Sequence, residues 1–386
     1  MSAAPRPQLA EVIARHRVLV CVGTGGVGKT TMAAALGLSG ALAGRRAMVL
    51  TIDPARQLAR ALGLRRLASG GEPIPRQILE QAGLSPRGTL HAAMLDQKSA
   101  WDAFVRRHAP DARTRRALLQ NPFYAQLSTT MAGSTEYMAV EELCQLEDSG
   151  RFDLLVIDTP PATHAVDFLR APRRIEQLFD PEVARWLSTP YAELGRNAFG
   201  ALTATVELVV RQLQRVAGTR TLEEISAFFG ALGTLLGDVA GRARRARELL
   251  QGDRTAFVLV AGPTEQVLSE GEVLLDAMGA LGIELKASIV NRVHPAPGAT
   301  EDAVAPLLGR LRARGVRGPE LAWIETCIRD GLAVHRAERE RLSTFRAGLP
   351  AEVAWAEAAE LEHDAHCLAD LARIASLLST GDGDSC

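Results

Sequence analysis

The residues with the clearest chemistry are Gly23-Thr24-Gly25-Gly26-Val27-Gly28-Lys29-Thr30-Thr31. Glycines let a backbone curl until successive N–H groups face inward, which makes a concave anion site. A lysine closing such a loop reaches phosphate oxygens, and the hydroxyl that follows it suits Mg²⁺. The pattern therefore reads as a nucleotide phosphate cradle, with Gly25, Gly26, Val27, Gly28, Lys29, Thr30 and Thr31 as its binding residues. Two acids belong beside it. Asp53 follows the apolar run Ala47 to Ile52, and Asp158 follows Phe152 to Ile157. Asp158 is suited to hold Mg²⁺ together with Thr30, and Asp53 to orient or deprotonate an attacking water. Each acid also suits the simpler role of a helix cap at a strand–helix turn.

A cradle of this type works only between a strand and a helix. Arg17 to Val22 is continuously apolar enough for a strand buried on both faces, and Met32 to Leu42 reads as the helix. Ala47 to Ile52 is a second strand, and Pro54 opens a short helix from Ala55 to Leu62. Ala68 to Gly88 reads as loop around one short helix. Thr89 to Asp96, Phe152 to Ile157, Ala256 to Val260, Leu285 to Val290 and Ala351 to Ala356 read as further strands. Helices are expected over Gln97 to His108, Ala112 to Gln120, Ser134 to Leu146, Glu265 to Met278, Ala303 to Arg314, Pro319 to Glu340 and His363 to Leu378. This alternation predicts an α/β fold with a doubly wound, mostly parallel sheet, in one domain over residues 1–386. Ligands of such sheets sit at the carboxyl ends of the strands, where the cradle, Asp53 and Asp158 all fall.

Residues 174–251 show no strand signal. Phe199, Leu202, Val206, Val209, Val210 and Leu213 recur at helical spacing, as do Leu222, Ile225, Phe228, Phe229 and Leu232. An inserted helical subdomain is expected there. Its apolar stripes read most simply as core, with a face for a partner or client helix as the alternative. The tail, residues 379–386, is expected to be disordered.

The chain has 386 residues, 47% of them hydrophobic, and Lys+Arg 44 against Asp+Glu 45 leaves a net charge of -1. That balance gives no global attraction to nucleic acid or to an anionic membrane. The local cluster Arg242, Arg244, Arg245 and Arg247 beside Glu248 reads as a solvated helix face. Cys21, Cys144, Cys327, Cys367 and Cys386 form no C-x-x-C pair, so neither zinc nor a disulfide framework is expected. The first 17 residues lack the apolar core of a signal peptide, and no apolar run reaches the ~20 residues of a membrane span. A soluble, cytoplasmic protein that is not integral to a membrane is expected.

Taken together, these motifs resemble a known family. Gly25 to Thr31 is similar to the deviant Walker A loop of dimeric P-loop ATPases. Thr51-Ile52-Asp53-Pro54-Ala55 with Leu58 resembles switch I of the ArsA-type ATPases, the group of the arsenite-pump ATPase and the guided-entry ATPase that targets tail-anchored proteins. Asp158-Thr159-Pro160-Pro161-Ala162-Thr163-His164 with Phe168-Leu169 resembles their switch II. Val290-Asn291-Arg292-Val293 resembles their adenine-contact strand. Asn121-Pro122-Phe123-Tyr124 and Asn291 to Pro295 are similar to the bacterial ArsA-like branch. The likeness runs in order from Arg17 to Leu378.

The resemblance implies an ATP hydrolase binding ATP/ADP and Mg²⁺, with two subunits facing each other across the nucleotide. Asp53 would position the water, Lys29 and the loop amides the phosphates, Thr30 and Asp158 the Mg²⁺, and Asn291 the base. The helical insert would change shape with the switches, and in guided-entry relatives it forms a groove for an apolar helix. Three departures stand out. The signature lysine that crosses the dimer in relatives is Thr24 here, so either a paralogous partner supplies it in a heterodimer or a homodimer works without it. No C-x-x-C offers the zinc clamp of guided-entry dimers. Cys144, Cys327 and Cys367 lack the spacing of the arsenite ATPase's metalloid site. An ATP-driven dimeric switch with a protein client is thus the leading expectation. A metalloid-efflux ATPase, a partition or positioning ATPase and a small-molecule kinase or synthetase are the alternatives; nucleic acid is not an expected partner.

Overall fold

The computed structural model describes residues 7–52, 57–64, 67, 71–122, 124–125, 128, 134–178, 239–296, 298, 300–362, 365 and 367–380. Asp53, residues 179–238 of the expected insert and residues 381–386 of the tail lie outside them.

In chain order the elements are α1 (Leu9–Arg15), β1 (Val18–Gly23), α2 (Lys29–Leu42), β2 (Arg46–Thr51), α3 (Gln57–Ala61), β3 (Glu72–Pro73), α4 (Arg76–Gln81) and β4 (Thr89–Met94). Then follow α5 (Gln97–His108), α6 (Ala112–Leu119), α7 (Ser134–Asp148), β5 (Leu154–Asp158), α8 (Ala162–Leu178), α9 (Val239–Gln251) and β6 (Thr255–Ala261). The rest are α10 (Glu265–Gly279), β7 (Leu285–Val293), α11 (Glu301–Ala313), α12 (Pro319–Gly348), β8 (Ala354–Ala359) and α13 (Leu368–Thr380).

The strands form one eight-stranded sheet in the order β3-β4-β2-β5-β1-β6-β7-β8. Every pairing is parallel except β3 with β4. Side chains of a strand alternate between faces, so a strand covered on both sides must be apolar throughout. β1 meets that demand. Leu19 and Cys21 join one core with α1, α2 and α13, while Val18, Val20 and Val22 join the other with α7, α8, α9, α10 and the end of α12. The sheet is thus the middle of three layers. β2, β3, β4 and β5 lie on one side of β1, with β5 next to it, and β6, β7 and β8 follow outward on its other side. The carboxyl end of β1 is therefore a topological switch point, and the glycine loop leaves from it.

Several expectations need correction. Glu72–Pro73 pairs with β4, where only loop and helix were expected. α12 runs on to Gly348 rather than ending at Glu340, because Leu342 and Phe345 bury its last turns in the core. The last strand starts at Ala354, since Val353 N–H donates to the Pro350 carbonyl and turns the chain first. Ser379 and Thr380 belong to α13, whose buried Leu378 anchors its final turn, so the tail begins later than residue 379.

α8 begins ahead of the expected insert boundary and packs side by side with α9. The arginine cluster on α9 is not uniformly solvated. Arg244 and Arg245 are exposed, but Arg242 is ion-paired with the buried Glu141 of α7 and stacks over Phe104 of α5. The grouping of arginines beside Glu248 suggested solvent around all of them; α5 and α7 cover Arg242.

Candidate active site

The loop is shaped by two close approaches. At Gly23, which ends β1, an added Cβ would lie 2.1 Å from the Val260 carbonyl oxygen of β6, so only glycine fits. Gly28 caps α2 with φ 89 and ψ 27, the left-handed region that costs other residues about 1–2 kcal/mol. A Cβ on Gly28 would also come 2.4 Å from Asn291 Nδ2. Asn291 is 8% exposed near the end of β7, and its Nδ2 donates to the Val27 carbonyl at 2.8 Å. A side chain from the far half of the chain thus pins the crown of the loop.

Lys29 opens α2, so its backbone belongs to the helix turn whose N–H groups point toward the loop and carry the positive end of the helix dipole. Its side chain is 8% exposed, and Nζ donates to the Thr24 carbonyl at 2.6 Å. The cation is held across the loop's own mouth. Thr24 itself is 2% exposed, with its Oγ1 buried and without a hydrogen-bond partner.

Asp158 ends β5 between β1 and β2, in register with Cys21 and Thr51. It is buried, and Thr51 Oγ1 donates to its Oδ2 at 2.8 Å. The next residue is tied down as well, because Thr159 Oγ1 donates to the Cys21 carbonyl at 2.7 Å. Burial, and after it the Asp158 carboxylate, push the Cys21 thiol far up, while Lys29 pulls it back. Acid and amine therefore act on one spot under the loop, and Cys21 stays a protonated core residue.

A cleft of about 860 Å³ opens at this edge. Gly26, Gly28, Lys29, Thr30 and Thr31 form one wall, Thr159 and Pro161 another, and Asn291 with Arg292 a third. Glu360, Leu361 and Glu362 beyond β8, Ile374 of α13 and Gln57 with Arg60 of α3 complete it. The structure thus gathers six residues singled out by the sequence: Gly26, Gly28, Lys29, Thr30, Thr31 and Asn291. Gly25 is exposed beside this wall, Val27 turns its side chain into the core, and Asp158 lies buried behind Thr51 and Cys21. Asp53 lies outside the described residues.

Sequence reasoning gave no role to Thr51 and Thr159, which fix Asp158 and the turn after it. Threonine at a strand's polar end was the available signal. It also missed the wall after β8, where Glu360 and Leu361 carry no motif. Arg292 has φ 61, the one positive φ outside glycine among the described residues, and no local pattern announces it. Two residues on, His294 accepts a firm anchor. Its backbone N–H donates to Glu338 Oε1 at 2.9 Å and its Nδ1 lies 2.6 Å from Glu338 Oε2, on the buried part of α12. The hydrogen bond to Glu338 raises the His294 pKa, with further help from Glu360 against some burial.

The chemistry of the cleft is anion binding by backbone, lysine and helix dipole, with the Thr30 hydroxyl on its wall and the Asp158 carboxylate buried behind Thr51 and Cys21. A hydroxyl and a carboxylate are hard ligands that suit Mg²⁺, which takes few protein ligands and completes its shell with phosphate and water. Among the described residues, no group of three or more His, Cys, Asp or Glu side chains is placed to hold a metal ion. The donor set therefore fits Mg²⁺ bound together with a nucleotide.

Comparison with known proteins agrees with this chemistry. A family model described as anion-transporting ATPase (ArsA_ATPase) matches residues 16–305, from β1 through β7. The ATPase GET3 of Malassezia globosa is 23% identical over 283 residues, 72% of this chain and 74% of its own length. The ATPase ASNA1 homolog 2 of Paramecium tetraurelia is 22% identical over 277 residues, 70% of this chain and 74% of its own. An uncharacterised protein of Streptomyces coelicolor is 32% identical over 170 residues, 43% of this chain and 40% of its own.

Proposed function

We propose, from the premise that this chain belongs to the anion-transporting ATPase family and is an ATP hydrolase, that hydrolysis in the cleft drives a conformational switch between two facing subunits. The observation that carries the reading is the Lys29 ammonium held on the Thr24 carbonyl inside a loop pinned by Asn291. A cation already aimed across the mouth needs only to exchange a carbonyl for phosphate oxygen. The loop amides and the start of α2 add their partial charges at the same place.

In this reading Gly25, Gly26, Val27 and Gly28 present backbone N–H groups, and Lys29 and Thr31 contact the phosphates. Asn291 holds the loop in register and borders the base side. Thr30 and Asp158 would hold Mg²⁺, which when bound neutralises charge on the phosphate oxygens. Thr51 keeps the Asp158 carboxylate in place for that. Asp53 orients the attacking water and accepts its proton.

The whole chain acts as one ATPase domain, with residues 174–251 as its helical insert. That segment's apolar residues at helical spacing support an apolar helix of a protein client as the thing bound. The second subunit is either another copy or a paralogue that carries the lysine absent at Thr24. The cytoplasm is the proposed place of work; among the described residues no helix is long and apolar enough to cross a membrane.

The test is a pair of variants. Lys29→Ala should lose binding of a fluorescent ATP analogue by 100-fold or more, on the order of 3 kcal/mol for a desolvated charge contact. Asp53→Asn should keep the analogue bound and lose phosphate release. An Asp53→Asn protein that turns over ATP at the wild-type rate removes Asp53 from the mechanism. Sedimentation with and without ATP, alone and with a lysine-bearing paralogue, reads the partner directly.

A further inference from the structure

Outside the phosphate loop, the most constrained stretch of chain is the carboxyl end of β7. Ala287 and Ile289 face one core, and Val290 and Val293 face the other. Strict alternation would therefore send residue 292 into the second core, behind Val290. The register against β8 shifts between Asn291 and Val293, so Arg292 is one extra residue on β7, a bulge. The bulge leaves Arg292 exposed on the cleft wall and returns Val293 to the core. It needs the φ of 61 at Arg292, a left-handed conformation that residues with a side chain rarely adopt. Such a conformation persists only where its surroundings over-determine it.

Here the surroundings act on both sides of Arg292. Before it, Asn291 Nδ2 donates to the Val27 carbonyl of the phosphate loop at 2.8 Å. After it, the Val293 carbonyl accepts from Glu360 N–H at 2.8 Å. One residue further, Glu338 accepts from the His294 backbone N–H at 2.9 Å and lies 2.6 Å from His294 Nδ1. Glu338 is 1% exposed on α12, where a carboxylate needs such partners to stay ionised. The other ring nitrogen, Nε2, lies 3.7 Å from Glu360 Oε2, and Glu360 lines the cleft beside Arg292. Of the other charges on that part of α12, Arg336 and Arg339 are engaged by Glu301 and Glu357. His335, the next imidazole on α12, keeps Nδ1 buried without a hydrogen-bond partner. The His294 ring thus stands between two carboxylates, one buried in α12 and one on the cleft wall.

We propose, on the reading of the cleft as a nucleotide site, that Glu338 acting through His294 is a positioning residue of that site, and that the charge on His294 sets how tightly the cleft holds a nucleoside polyphosphate. With His294 protonated, each ring N–H has a carboxylate to meet. The strand end stays closed on α12, and the Glu360 charge is compensated. With His294 neutral, Nδ1–H stays on Glu338 and Nε2 turns a lone pair toward Glu360. Glu360 then leaves an uncompensated negative charge in a cleft built for phosphate, and the bulge loses one of its restraints. Both changes weaken binding of an anion. The hydrogen bond to Glu338, and after it the charges of Glu338 and Glu360, raise the His294 pKa above its usual value of about 6.5 against some burial. Affinity is accordingly complete below that value and falls as pH rises through the folded one. Linkage requires the converse, that a bound nucleotide raises the His294 pKa further.

The experiment is titration of the full-length chain with a fluorescent ADP analogue and Mg²⁺ from about pH 6.5 to about pH 8.5, the range in which a raised histidine changes charge. Ionic strength is held constant. The wild type should lose about three- to fivefold in affinity across that range, the scale of a half-exposed ion pair. His294→Gln keeps a donor for Glu338 without the charge, and should show only the weaker dependence that the nucleotide's own ionisation imposes. Glu360→Gln should flatten the profile to the same degree. Glu338→Gln keeps an acceptor for His294, and should move the wild-type profile to lower pH. Melting temperatures check that the variants are folded. In the NMR spectrum of the wild type, the His294 ring signal, assigned by its loss in His294→Gln, should titrate at higher pH when ADP is bound. Parallel profiles for wild type and His294→Gln, or a His294 pKa that ADP leaves unchanged, would overturn this role for His294 alone. A wild type that binds the analogue at no pH would overturn the nucleotide reading as well.

Discussion

Replacing Gly28 by alanine tests the central claim that Asn291 and the loop form one mechanical unit. Two costs are visible. The residue sits at φ 89, where an alanine pays about 1–2 kcal/mol in backbone strain. Its Cβ would also lie 2.4 Å from Asn291 Nδ2, so the amide must move and its bond to the Val27 carbonyl is lost. That hydrogen bond contributes about 1 kcal/mol net. The loop escapes both costs by leaving its anion-binding shape, so together they weaken nucleotide binding by about 2–3 kcal/mol, roughly 30- to 150-fold. Gly25→Ala is the control, because its Cβ would meet nothing nearer than Pro161 Cβ at 3.9 Å. The assay is titration of a fluorescent ATP analogue, with urea unfolding to confirm that the variants are folded. Asn291→Ala added to Gly28→Ala removes the clash, so the double variant should lose less than the two singles combined. Strict additivity, or a Gly25→Ala effect as large as that of Gly28→Ala, would refute the reasoning.

Three further outcomes are expected. Thr24→Val should raise stability by about 1 kcal/mol, because it removes a buried hydroxyl that has no partner and keeps the backbone carbonyl that accepts from Lys29; urea midpoints read this, and a loss of stability would contradict it. Glu141→Gln should cost about 3 kcal/mol in the same measurement, because the Arg242 cation would remain desolvated between α5 and α7; a change within error would show that solvent already reaches the pair. His294→Gln should matter most in acid. The folded His294 pKa is raised above its usual value of about 6.5, so the stabilisation it brings is complete below that value and fades as pH rises through the folded value. The gap in unfolding midpoint between wild type and variant should therefore close with rising pH, and a constant gap would exclude the His294–Glu338 pair as its source.

Much of the fold was legible because its signals are local. β1, β2, β5 and β6 announce themselves as short apolar runs, since a strand covered on both faces has no polar side to show. The cradle is legible for the same reason: glycine, lysine and threonine act through their immediate backbone, and strand and helix flank them in sequence. β3 was missed because two residues carry no periodicity, and its pairing to β4 is a tertiary event. The charge balance misled at both ends. The local arginine cluster read as solvated at Arg242 although α5 and α7 cover it, and the net charge passed over the arginines from Arg310 to Arg317 because a sum over the chain erases their grouping.

The sequence alone pointed to the class of chemistry and named candidate residues for it, because phosphate binding needs particular residue types at fixed short spacing. Only the tertiary structure decided how those residues are held. Asn291 reaches Val27 across 264 residues, Thr51 and Asp158 meet across 107, and His294 finds Glu338 on another element. Such contacts depend on which strands lie side by side, and strand order is set by the packing of two cores against one sheet, which no window of sequence contains.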